Sequence, residues 1–102
     1  MRTIQHFEIK KRGATVLMVP TGTQFMEAVS LRDSIALFGI IDTDVKQYER
    51  REIIPFFTGY DLPESSDEEE YRYLGTVVLN SDAPVHVFER VAITVENHEK
   101  DS

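Results

Sequence analysis

Along most of the chain, apolar and polar positions alternate with a period of two. That spacing puts one side of a β-strand on a core and the other toward solvent. Seven strand segments are predicted. The first three run from Thr3 to Lys10, from Ala14 to Val19 and from Thr23 to Arg32. The fourth, Ile35 to Ile41, is a continuous apolar run, which marks a strand buried on both faces and hence central. Tyr48 to Thr58 is the fifth, and Pro55 within it points to an edge strand or a bulge. Tyr71 to Leu79 and Pro84 to Val95 complete the set. In the last, Val85, Val87, Val91, Ile93 and Val95 share one face, while His86, Phe88, Arg90, Thr94 and Glu96 share the other.

Turn chemistry separates these segments. Lys10-Lys11-Arg12-Gly13 reads as a hairpin turn with Gly13 at positive φ, and Pro20-Thr21-Gly22 as a second turn. Arg32-Asp33-Ser34, Asp42-Thr43-Asp44 and Asn80 to Ala83 are further polar breaks. Over 23–31, Phe25, Met26, Val29 and Leu31 also fit half of an amphipathic helix. The strand is preferred because the segment lies between two turns; a short helix is the alternative. Connections this short predict antiparallel neighbours. The expected class is therefore all-β, mainly antiparallel, with about seven strands in a meander, a small sandwich or a partly closed barrel.

The 102 residues allow one domain, read as 1–96, followed by a flexible polar tail at 97–102. A chain this short has a thin stability margin, which oligomerisation would supplement. The net charge of −7 is unevenly spread. Residues 61–70 carry six acids and no base, whereas residues 1–60 carry eight bases and seven acids. The acidity thus belongs to one loop at 60–70, and a solvated loop explains it more simply than nucleic-acid mimicry. No basic stripe is large enough to drive counterion release, so nonspecific nucleic-acid binding is disfavoured. There is no cysteine, which excludes disulfides and thiolate metal sites. Residues 1–12 hold no apolar secretion core, and no run approaches the ~18 apolar residues of a membrane helix. A cytosolic protein with no membrane role is expected.

Glu89 is the residue most out of pattern, because it falls on the apolar face between Val87 and Val91. A carboxylate there needs a partner, such as Arg50, Arg51 or Arg90, or a bulge that turns it outward; otherwise it is an acceptor for a ligand amine or hydroxyl. His86 belongs to the opposite face, so the two do not form an acid–base pair. His6, His86 and His98 are too scattered for a zinc site, and no cofactor motif is present. Thr58-Gly59-Tyr60 closes the fifth strand; an ordinary turn is the simpler reading, and a backbone approach to phosphate the sharper one. Arg50 and Arg51, with Lys10 to Arg12, are the anion contacts if the ligand is an anion. The candidate binding residues are Arg50, Arg51, Tyr60, His86 and Glu89. No nucleophile elbow or Walker-type loop occurs, which favours binding over catalysis.

Several short motifs form a recognisable layout: Met1-Arg2-Thr3-Ile4, Val19-Pro20-Thr21-Gly22, Thr58-Gly59-Tyr60, Tyr73-Leu74-Gly75-Thr76 and His86-Val87-Phe88-Glu89. Over roughly residues 1–90 the chain resembles a family of small uncharacterised bacteriophage proteins that begin Met-Lys-Thr-Ile and end near His-Val-Phe-Glu. It departs from them in Ser81 to Pro84, where the family has glycines, in Leu37-Phe38, where it has a Trp, and in continuing from Arg90 to Ser102. The resemblance carries no site residues. It implies a phage product acting in the host cytoplasm. By analogy, three roles follow: an anti-defence binding protein, a virion or assembly component, and a small hydrolase or nuclease. The first ranks highest, with a host protein or a nucleotide signal as partner and a homo-oligomer as the expected state.

Overall fold

The computed structural model describes residues 1–63, 69–80 and 83–92. Among them run seven strands: β1 (Arg2–Ile9), β2 (Thr15–Pro20), β3 (Gln24–Leu31), β4 (Ser34–Asp42), β5 (Tyr48–Phe57), β6 (Glu69–Val77) and β7 (Val85–Ala92). Every pairing is antiparallel. One sheet has the order β1-β4-β3 and the other β2-β5-β7-β6. The all-β class is as predicted, and the two layers form a sandwich rather than a closed barrel.

The connectivity is not a meander. Only β3–β4 and β6–β7 join sequence neighbours within a sheet. Gly13 has the expected positive φ, 76°, yet the link it serves is no hairpin. It hands the chain from one sheet to the other, so that β1 pairs with β4 and β2 with β5. A link of that length can fold a strand back or arch across to the opposite layer, and alternation within each strand does not distinguish the two. At Arg32-Asp33, by contrast, both residues have positive φ (53° and 65°) and join Leu31 to its partner Ser34. Two consecutive positive φ values give the turn twist that matches a two-residue hairpin.

Residues 23–31 do not form a helix. β3 carries a bulge between Phe25 and Ala28, which leaves Met26 and Glu27 exposed and brings Phe25 and Ala28 to the same inner side. The extra residue produces a spacing of three, which is what the helical pattern had registered. β4 is central in its sheet, as predicted. Its inner residues Ile35 and Leu37 are fully buried, whereas Phe38 and Ile40 on the outer side are half-buried. The apolar run therefore has one packed face and one partly covered face.

β5 is an internal strand, not an edge. Pro55 is tolerated because β2 reaches only as far as Thr15, opposite Ile53. At Pro55 the strand has a neighbour on one side alone, so a proline meets edge conditions inside a four-stranded sheet.

The core is filled from both layers, by Ile9, Ile35 and Leu37 on one side and Ile53, Val77, Val85 and Val87 on the other. The sheets come closest where β3 meets β6. Gly75 lies at a register shift in β6 with φ of 151°, and a Cβ there would stand 2.8 Å from the carbonyl oxygen of Ala28. Glycine is needed on both counts, conformation and approach.

Glu69 and Glu70 already lie in β6, so the acidic loop is shorter than 60–70, and 64–68 lie outside the described residues. The continuation of β7 through Val95 and the tail at 97–102 also lie outside them. No helix among the described residues is long and apolar enough to cross a membrane.

Candidate functional site

β5 and β7 are neighbours in a register that pairs Ile53 with Glu89. Counting by two from these core positions puts Arg51 and Glu89 on the inner face, diagonal to each other. No bulge turns Glu89 outward. Its side chain is buried, and the Arg51 guanidinium binds it through two nitrogens: Nε donates to Oε2, and Nη2 to Oε1 at 3.1 Å.

Arg51 is held on its other sides as well. Nη1 donates to the carbonyl of Thr23 and to Glu49 Oε2, both at 2.9 Å. The guanidinium carbon lies 4.6 Å from the centre of the Phe25 ring. Thr23 is delivered by a tight turn, in which its amide (3.1 Å) and hydroxyl (2.7 Å) donate to the Pro20 carbonyl and Gly22 takes a positive φ of 89°. The Gly22 amide also donates to Glu49 Oε2 at 3.3 Å. Hydrogen bonding to Glu89 raises the Arg51 pKa above its ordinary value, against the opposing effect of burial. The pair satisfies the charge that the core would otherwise refuse.

Over this pair opens a cleft of about 450 Å³, lined by Gly22, Thr23, Glu49, Arg50, Arg51, Arg72, Glu89, Arg90 and Val91. Four guanidinium-bearing residues and two carboxylate-bearing ones thus surround it. They are not equally engaged. Arg90 is tied to Glu52, which its Nε meets at 2.9 Å and which raises its pKa. Arg72 is well exposed, and its ion-pair contact is with Glu70 at 3.9 Å. Arg50 is exposed at the end of the same sheet.

The structure brings Arg50, Arg51 and Glu89 to this cleft and places His86 and Tyr60 elsewhere. His86 lies on the outer face of the four-stranded sheet. Thr58 Oγ1 is 2.7 Å from its Nε2 and Thr76 Oγ1 is 3.0 Å from its Nδ1. Tyr73 continues the chain by hydrogen bonding to Thr76. Hydroxyls thus flank both ring nitrogens and hold the imidazole in place. Tyr60 follows β5 at the far end of the sandwich, against Phe57 at 5.8 Å between ring centres. There Arg12 lies 5.1 Å over Phe57, beside a depression of about 220 Å³.

Sequence reading missed Arg72 and Glu49. Arg72 is opposite Glu89 in the β6–β7 register, so it shares the inner side. The signal was there, a charge two residues from Leu74, but the shift between Tyr73 and Gly75 hides which side Arg72 takes. Among the described residues no three His, Asp or Glu side chains converge as metal ligands.

The outer face of this sheet is the second feature. Phe88 meets Phe56 at 5.8 Å and Tyr73 at 5.5 Å, and Phe56 meets Tyr71 at 6.0 Å, all edge to face. Val16 and Met18 extend the apolar surface onto β2. A solvated sheet face is ordinarily polar at these positions.

The chain is thus a small antiparallel β-sandwich with a guanidinium-rich cleft at one end. The family model described as "Domain of unknown function (DUF7352)" matches residues 1–98, and the chain belongs to that family. No curated protein and no solved structure matches it.

Proposed function

We propose that the protein is an accessory binding protein that holds a small phosphate-bearing ligand of the nucleotide class in the cleft above Arg51 and Glu89. One observation carries this reading: Arg72 is exposed at the rim of a cleft whose floor is already ordered by a bidentate ion pair. Guanidinium groups suit phosphate by their fork geometry, and a floor fixed beforehand reduces the entropy lost on binding. The carboxylates of Glu49 and Glu89 add acceptors for ligand amines or hydroxyls, and the cleft volume falls in the range of small-molecule sites. In the phage setting that the sequence resemblance implies, such a protein would act in the host cytoplasm by sequestering a nucleotide immune signal.

The test is thermal denaturation with a panel of linear and cyclic nucleotides, followed by calorimetry on any ligand that raises the transition. Binding is expected to weaken at least tenfold in Arg72→Ala, a loss on the order of 1.4 kcal/mol. Absence of any shift across the panel removes the reading. Loss of a host-protein complex in Arg72→Ala, with no nucleotide bound, would replace it with a macromolecular target.

A second reading, a virion or assembly component, is favoured by the apolar outer face. Mass spectrometry of purified particles tests it, since an assembly component travels with the particle.

A further inference from the structure

We infer that the outer face of β2-β5-β7-β6 is a homodimer interface, on which a second copy of the chain packs sheet against sheet about a two-fold axis. This goes beyond the cleft reading and does not rest on it.

The face is divided along the strands into three zones. At one end lie Arg50, Glu52, Glu69 and Arg90, two cations and two anions in adjoining register positions. Arg90 binds Glu52 there and approaches Glu69 at 3.8 Å. The middle row is apolar, with Ile54, Phe88 and Tyr73 side by side; Tyr71 adjoins it beside Arg90, and Phe56 adjoins it opposite His86. At the other end His86 stands between the hydroxyls of Thr58 and Thr76.

This distribution selects the occupant. Among the described residues the formal charge of the face balances, although the chain carries −7 overall. A nucleic acid or an anionic membrane would find no cationic surplus there. A strongly charged protein surface would likewise gain no complement. A second copy supplies the matching surface. A two-fold axis lying between the two sheets, parallel to them and perpendicular to the strands, lays the middle row on the middle row and sets the ionic end of one copy over the hydroxyl and imidazole end of the other. Like charges are then kept apart, and groups that can both donate and accept meet the ionic side chains.

The size also fits. With strands ~4.8 Å apart and a rise of ~3.3 Å per residue, four strands by about seven residues cover about 450 Å² in projection. A corrugated face exposes more than its projection, which brings it toward the ~600–800 Å² per partner of a stable interface only if the whole face is used. The apolar middle supplies the aromatic anchors that dominate such contacts.

The experiment is sedimentation equilibrium of the full chain, with Tyr73→Arg and Met18→Glu as face variants and Ile4→Arg as the control. Tyr73 and Met18 are 58% and 60% exposed, and Ile4, on the outer face of the other sheet, is 61% exposed. Such positions can be changed without opening the core, and circular dichroism checks the fold of each variant. The wild type and Ile4→Arg are expected as dimers, with dissociation at least tenfold easier in both face variants. Mixed-label NMR should show contacts between the Phe88 and Tyr73 rings of different copies. A monomeric wild type overturns the proposal, as does a dimer that only Ile4→Arg disrupts. Flotation of a monomer with neutral or anionic phospholipid vesicles would assign the face to a membrane instead. Nucleotide binding by a monomer would leave the cleft reading standing while the dimer fails.

Discussion

Glu89 of β7 reaches diagonally across the sheet to Arg51 of β5, and the two side chains occupy inner positions at the end of the sandwich core. Glu89 is only 4% exposed, and that guanidinium is its partner in place of water. Glu89→Ala is expected to destabilise the fold by about 3 kcal/mol, because it leaves Arg51 facing an apolar neighbourhood with Glu49 as its acid. A paired Arg51→Met and Glu89→Leu change should recover most of that loss, since a well-packed apolar pair can equal a buried ion pair. Urea midpoints of the two single variants and the double variant measure the coupling. Additive losses would show that the two side chains act independently.

Gly75 and Gly22 make a matched comparison. Both have positive φ, but a Cβ at Gly22 meets nothing within 4 Å, whereas one at Gly75 meets the Ala28 backbone. Gly22→Ala is expected to cost about 1 kcal/mol, from conformation alone. Gly75→Ala should cost on the order of 3 kcal/mol, because β3 and β6 must also separate. Equal losses in thermal or urea denaturation would mean that the β3–β6 approach is not fixed by the glycine.

The proton on His86 has a preferred nitrogen. Thr58 Oγ1 lies 3.3 Å from the Pro84 carbonyl, to which it donates, so it accepts from Nε2–H of His86. Nδ1 then accepts from Thr76, and Thr76 accepts from Tyr73. Nitrogen shifts of the imidazole should show the Nε2–H tautomer, and Thr76→Val should weaken that preference. Protonation at Nδ1 instead would reverse the direction of the chain.

Acid should act late at the end of β4. The amide of Asp44 donates to the Asp42 carboxylate at 3.0 Å, and this bond, with the Met1 ammonium group, holds the Asp42 pKa below its ordinary value of 3.8. A depressed folded value means that the contribution to stability is present above the ordinary pKa and is lost as pH falls through the lower folded one. Carboxyl carbon shifts should give a midpoint below the ordinary value for Asp42, and Asp44→Pro, which removes the donor, should raise it. A midpoint at or above the ordinary value contradicts the assignment.

The sequence determined the strands more fully than their partners. Period-two alternation, the apolar run of β4 and the turns that bracket β3 together located all seven, and Pro-Thr-Gly and Arg-Asp-Ser placed turns where turns occur. Glu89 stood out because it interrupts a run of valines, and Arg51 was among its named partners. Both signals are local, since side-chain direction along a strand depends only on the strand's own geometry. The tertiary structure decided what is non-local. It determined that β1 pairs with β4 across the chain, that β5 tolerates Pro55 where β2 has ended, and that the bulges in β3 and β6 meet at Ala28 and Gly75. It also determined which arginine serves Glu89. Arg50, Arg51 and Arg90 were equal candidates by residue type, and the choice fell to Arg51 because the β5–β7 register puts it on the inner face of the strand next to Glu89.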